Sequence, residues 1–287
     1  MRTVHGGRRQ KERAGGRLIA VAAVWLLAVM LGACASTPRY GPVGSAQGDL
    51  ARAQDEYARG HYLTVIELLE TFERRHAGSQ YVDDALFLLG KAHQANREQI
   101  LARQTLQRVR DEYPQGPFAE EALFEIARSW FMSIRGPALD AEPAEEALRS
   151  FRLYLRRYPD GEFAPEAREG ERETLEILAA KSYLNGRTYM RIGRPQAARQ
   201  YFEKSLAWRE ASEYAALAWA GIARSHEEEG QAAAARAAYV RLHALLESGA
   251  EAFKDGPELL RKARRKLEAL PAPAQPAAPV PAADAGD

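Results

Sequence analysis

The 287-residue chain is 46% apolar and 28% charged, with 40 basic and 39 acidic residues. That balance supports a packed core under a wet surface and excludes a disordered or collagen-like chain. A net charge of +1 argues against a nucleic-acid binder, and one cysteine excludes a disulfide framework or a multi-cysteine metal site.

Charge is unevenly spread. Up to Ala33 there are six basic residues and one acidic one, which leaves 34 basic against 38 acidic in the remainder. Arg2, Arg8, Arg9, Lys11, Arg13 and Arg17 precede an unbroken run of 14 apolar residues, Leu18 to Leu31. As helix this run measures only about 21 Å. A membrane span needs ~20 such residues, so the run predicts the core of a signal peptide. The tetrapeptide Leu31-Gly32-Ala33-Cys34 that closes it resembles the lipobox of bacterial lipoproteins. The resemblance implies a signal peptide over 1–33, cleavage after Ala33, and a Cys34 that carries diacylglycerol on sulfur and a fatty acyl chain such as palmitate on nitrogen. Each buried methylene contributes ~0.8 kcal/mol, so several chains together hold a protein on a membrane. Ala35 follows where an aspartate would favour inner-membrane retention, which points to the outer membrane, facing the periplasm. Residues 34–48 are small and polar, broken by Pro38, Gly41, Pro42 and Gly44, and predict a flexible tether.

Residues 49–270 read as amphipathic helices parted by short Gly/Pro clusters, without strand-like alternation. Three turns align without gaps. Tyr113-Pro-Gln-Gly116 is followed by Phe118 and Ala122, and Tyr158-Pro-Asp-Gly161 by Phe163 and Ala167. His76-Ala-Gly-Ser79, with Tyr81 and Ala85, is a degraded copy. From these turns a register of small residues extends over Ala53, Gly90, Ala127, Gly186 and Ala223. Their partners on the following helix are Val65, Ala102, Ala147, Ala198 and Ala235, each followed four positions later by Leu69, Leu106, Phe151, Phe202 and Tyr239. Close packing of two antiparallel helices explains the pattern: small residues let the backbones approach, and a bulky one fills the adjacent groove. The expected fold is all-α, a right-handed superhelix of about five tetratricopeptide-like helical hairpins. One step of 59 instead of 37 residues requires an insertion, assigned to a loop at Arg135–Glu142 and to a lengthened helix over Pro165–Ile192. Residues 271–287 hold five prolines among alanines and predict a disordered tail.

Chemistry for catalysis is hard to find. His226-Glu-Glu-Glu-Gly230 lacks the second histidine of a zinc helix and reads as a helix end. Gly90-Lys91 lacks the upstream glycines of a phosphate loop, and there is no Gly-x-Ser-x-Gly elbow. No enzyme activity, metal or cofactor is expected. Binding on a concave surface is expected instead. Phe87, Phe124 and Tyr183 share one register position, and Lys91, Arg128 and Arg187 share another, which suits an extended peptide. The alternative is that the rings belong to the core and the cations pair with nearby glutamates.

The stretch Tyr158 to Ala167, the helix Leu175 to Met190, and Arg194-Pro-Gln-Ala-Ala-Arg-Gln-Tyr-Phe-Glu203 together resemble the BamD family of the outer-membrane β-barrel assembly machinery. The resemblance covers about 51–246. It implies a lipid-anchored, non-enzymatic scaffold that contacts the barrel-forming assembly subunit and other assembly lipoproteins, and that meets unfolded outer-membrane proteins. A different envelope scaffold, such as a pilotin or a secretion or polysaccharide-export lipoprotein, would use the same fold and anchor.

Overall fold

Ser45 marks the start of regular structure. Its hydroxyl accepts the Gly48 backbone N–H at 3.1 Å, an N-cap that satisfies one orphan donor of the first helix, α1, Ala46–Ala58. Residues 46–48, expected to belong to the tether, are therefore helical. The computed structural model describes residues 44–271 apart from positions 211 and 248. The expected signal peptide, Cys34, most of the tether and the tail beyond Pro271 lie outside the described residues. The chain divides into two compact units between Val82 and Asp83.

In the first unit α1 is followed by α2, Tyr62–Leu69, and the single turn α3, Phe72–Arg75. Ala53 and Val65 are fully buried, which lets α1 and α2 close on Leu69. His76, which stands where the later turns have tyrosine, has its own task. Its ring lies 4.7 Å from Phe72, and its Nε2 is 3.0 Å from the Asp49 carboxylate, which also accepts from Arg75 at 2.5 Å. The degraded turn is thus tied back to α1 by charge.

The second unit takes all but the first residue of α4 (Val82–Ala95), then α5 (Gln99–Glu112), α6 (Ala119–Met132) and α7 (Glu142–Arg157). After these come α8 (Ala164–Arg191), α9 (Pro195–Trp208), α10 (Glu213–Glu228) and α11 (Ala232–Glu247). A 3-10 turn at Ala250–Ala252 leads into α12 (Gly256–Ala269). Among the described residues every regular element is helical, and consecutive helices from α5 onward pack as antiparallel neighbours. The all-α architecture of tetratricopeptide-like hairpins is the one the register implied. Proline occupies the first turn of α7, α8, α9 and α12, where its missing N–H costs nothing. Gly193 and Gly230 both adopt φ +71° just after α8 and α10, so the His226 segment is a helix end. Arg236 donates to the Leu267 and Leu270 carbonyls, 2.5 and 3.2 Å away, and so caps the last helix with a charge its dipole favours.

The register residues meet as spacing requires. A Cβ added to Gly90 would lie 2.7 Å from Leu106 Cγ, and one added to Gly186 would lie 2.5 Å from Phe202 Cε1. Phe202 is also flanked by Gly221 of α10, so its ring is a wedge that three helices share. The two Tyr-Pro turns bond identically, with Gly116 and Gly161 N–H to the Tyr113 and Tyr158 carbonyls at 2.9 and 3.2 Å. The second turn is further pinned by Glu120 of α6. Its Oε1 accepts from the buried Tyr154 hydroxyl at 2.6 Å and from the Glu162 amide at 2.8 Å. Burial and the Glu120 carboxylate hold the Tyr154 phenol well above its ordinary range. The long step is built as expected: the segment between α6 and α7 is irregular, and α8 has 28 residues where α6 has 14.

Candidate functional site

The aromatic positions Phe87, Phe124 and Tyr183 each face the aromatic that opens the next hairpin. Phe87 stacks on Phe118 at 4.6 Å and 12°, and Phe124 on Phe163 at 5.0 Å and 13°. Both rings are only 8% exposed, so Phe87 and Phe124 are core, which corrects their expected place in a peptide groove. Stacking on a turn ring removes their faces from any ligand. Tyr183 makes the corresponding contact with Tyr214, yet at 5.9 Å and 50° the pair is splayed open. Two phenols need polar outlets that two phenyl rings do not. Burial raises the Tyr183 and Tyr214 phenols above their ordinary range.

The cationic positions divide in the same way. Lys91 reaches 30 and 34 residues ahead to Glu121 at 2.9 Å and Glu125 at 3.1 Å. Burial lowers its affinity for the proton, but the hydrogen bonds and charges of those two glutamates outweigh burial and hold the ammonium above its ordinary pKa. Arg128 joins the cluster, donating to the same Glu125 oxygen at 2.8 Å. Lys91 and Arg128 are therefore committed to structure. Arg187, counted forward by the same 30 and 34 residues, meets Leu217 and Gly221 instead of carboxylates. Its guanidinium rests 5.8 Å from the Tyr183 ring centroid and forms no ion pair among the described residues.

Where the carboxylates are missing, a cavity of about 720 Å³ opens. From α8 it takes Tyr183, Leu184, Arg187, Thr188, Met190 and Arg191. From α9 comes Phe202, from α10 Leu217, Ala220, Gly221 and Arg224, and from α12 Leu259 and Lys262. Ala138 of the inserted loop completes the wall, and that loop is held by Lys181 of α8, whose ammonium donates to the Leu139 carbonyl. Arg187, Arg191, Arg224 and Lys262 are exposed on the rim, and no carboxylate lines it. Arg224 alone of the four has an ion-pair partner among the described residues, Glu228 at 3.0 Å. An apolar, aromatic floor under a positive rim suits an acidic, partly apolar segment of polypeptide.

Of the six expected groove residues, the structure brings Tyr183 and Arg187 together at the cavity and leaves Phe87, Lys91, Phe124 and Arg128 in packing and ion pairs. Arg191, Arg224 and Lys262 escaped sequence reasoning. The signal for them lay in the absence of glutamate 30 and 34 residues after Arg187. Among the described residues no helix is long and apolar enough to cross a membrane, and no three metal-ligating side chains converge.

The model of the family described as YfiO, outer membrane lipoprotein, matches residues 48–242. The outer membrane protein assembly factor BamD of Caulobacter vibrioides is 28% identical over 144 residues, 50% of this chain and 47% of that protein. The match thus spans about half the length of that relative. Among solved structures, a tetratricopeptide repeat protein from Parabacteroides merdae is 17% identical, with 78% of each chain covered and a TM-score of 0.35. A thermophilic TPR protein of Thermus thermophilus is 16% identical, covering 78% of this chain and 100% of its own, with a TM-score of 0.33.

Proposed function

This chain belongs to the YfiO family of outer membrane lipoproteins, and from that premise we propose that it is a non-enzymatic scaffold of outer-membrane β-barrel assembly. Lipid on Cys34 anchors it to the periplasmic face of the outer membrane. The repeats hold the barrel-forming assembly subunit, fellow assembly lipoproteins and unfolded barrel proteins. The single observation that carries this reading is the family match, which runs across nearly the whole helical body. The cavity supports it chemically: its partly apolar lining under a positive rim offers a surface for polypeptide. In the same reading, Tyr183 and Arg187 bind partner segments directly.

The test is purification of the lipoprotein from detergent-solubilised envelopes. The barrel-forming subunit co-purifies with it, and a preparation that lacks this subunit contradicts the reading. In parallel, Cys34→Ser moves the protein from the membrane to the soluble envelope fraction. A variant that stays on the membrane contradicts anchoring through that sulfur.

A further inference from the structure

The rim of the cavity carries four cations, of which Arg224 is paired with Glu228, and its lining holds no carboxylate, so the potential there is positive. The same chain contains a segment of opposite character. Ala272–Asp287, outside the described residues, has no lysine or arginine, two aspartates at 284 and 287, and Val280 between Pro279 and Pro281. Proline-rich segments dock on aromatic-lined surfaces because they hide little hydrogen-bonding backbone and lose little entropy when held. The cavity floor offers a matching surface in Tyr183, Met190 and Leu259, with the buried Phe202 ring beneath them.

Connectivity favours the encounter. The segment follows directly on α12, whose own Leu259 and Lys262 line the cavity. From Leu270 back to Lys262 is about 12 Å of helix axis. From Ala272 to Asp284 an extended chain reaches about 40 Å. Tethering at this range gives an effective concentration on the order of millimolar, enough to keep a weak site filled.

We propose that Ala272–Asp287 occupies this cavity, with Val280 on the aromatic floor and Asp284 and Asp287 against Arg187, Arg191, Arg224 and Lys262. The segment is then a built-in competitor, and an incoming polypeptide must displace it. This rests on the reading of the cavity as a polypeptide-binding site, though on no particular partner.

The experiment places a photoreactive benzoylphenylalanine at Val280 of the full-length lipoprotein in detergent micelles and maps adducts by mass spectrometry. The expected result is an intrachain adduct on α8 or α12, at Met190 or Leu259. Its yield falls at least fivefold in 0.5 M salt and in the Asp284→Asn/Asp287→Asn variant. Arg187→Glu/Arg224→Glu lowers it equally. Adducts elsewhere, or a yield indifferent to these charge changes, overturn the proposal. With mixed heavy- and light-isotope chains, an interchain adduct makes a second copy the occupant and overturns it too. A second probe at Leu217 separates this from the broader reading. If Leu217 captures other polypeptides while Val280 never meets the cavity, the tail proposal fails and the binding site stands. If Leu217 captures no polypeptide, both fail.

Discussion

The step from α4 to α6 and the step from α8 to α10 start from the same register and end differently. At the first, Phe87 lies flat on Phe118 and Lys91 is held by Glu121 and Glu125. At the second, tyrosines replace both phenylalanines, leucine and glycine replace both glutamates, and the space stays open under an unpaired Arg187. A repeat array makes one scaffold many times. A cavity opens where a repeat withholds the groups that closed the same place elsewhere, and that cavity is the proposed binding site.

The largest expected effect comes from the wedge that both flanks of the open step share. Phe202 is 1% exposed between Gly186 and Gly221, which cannot move in to fill its space. Phe202→Ala should cost about 3–5 kcal/mol, measured by urea unfolding followed by circular dichroism. A loss under ~1 kcal/mol would mean that the three helices do not rely on that ring. The paired cations provide a sharper contrast. Lys91→Ala leaves the Glu125 carboxylate, 3% exposed, with Arg128 alone, and should cost about 1–3 kcal/mol. Arg187→Ala should change stability by less than ~1 kcal/mol, because this exposed cation has no ion pair and only the Tyr183 ring beneath it. Equal costs at the two positions would erase the distinction between the steps.

How far the sequence reveals this division depends on what each feature requires. Close packing demands particular residues, so the register was legible: Ala53, Ala127, Val65, Ala147 and Ala235 are all fully buried, as their spacing required. The insertion was legible for the same reason, since 22 residues beyond the normal step must go somewhere, and α8 takes most of them. The cavity was not. Phe87, Phe124 and Tyr183 looked equivalent because they share a position, and only the packed structure shows that two face a turn ring while the third has a splayed partner. The cavity depends on glutamates that are absent from α10, and an absence has no motif. Arg191, Arg224 and Lys262 come from three helices that meet only in space.

The first unit gives the smallest expected effect. Burial raises the pKa of Asp49, but bonds from His76 and Arg75 outweigh it and hold the carboxyl below its ordinary value. A folded pKa that is depressed contributes stability that is full above the unfolded carboxylate range near ~4 and is lost as pH falls through the folded value. The protection of α1 amides, measured relative to their intrinsic exchange rate, should therefore fall on acidification below about pH 4, and Asp49→Asn should flatten that dependence. An unchanged profile in the variant would show that another group carries it.

The central claim is that the Arg187 step binds polypeptide and the Lys91 step does not. Photoreactive benzoylphenylalanine at Leu217 and, separately, at Glu121 of the anchored protein in living cells tests it at equivalent positions. The account expects adducts from Leu217 with the chain's own 272–287 peptide or with the barrel-forming subunit, and background labelling from Glu121. Equal capture at both positions, or none from Leu217, would contradict it.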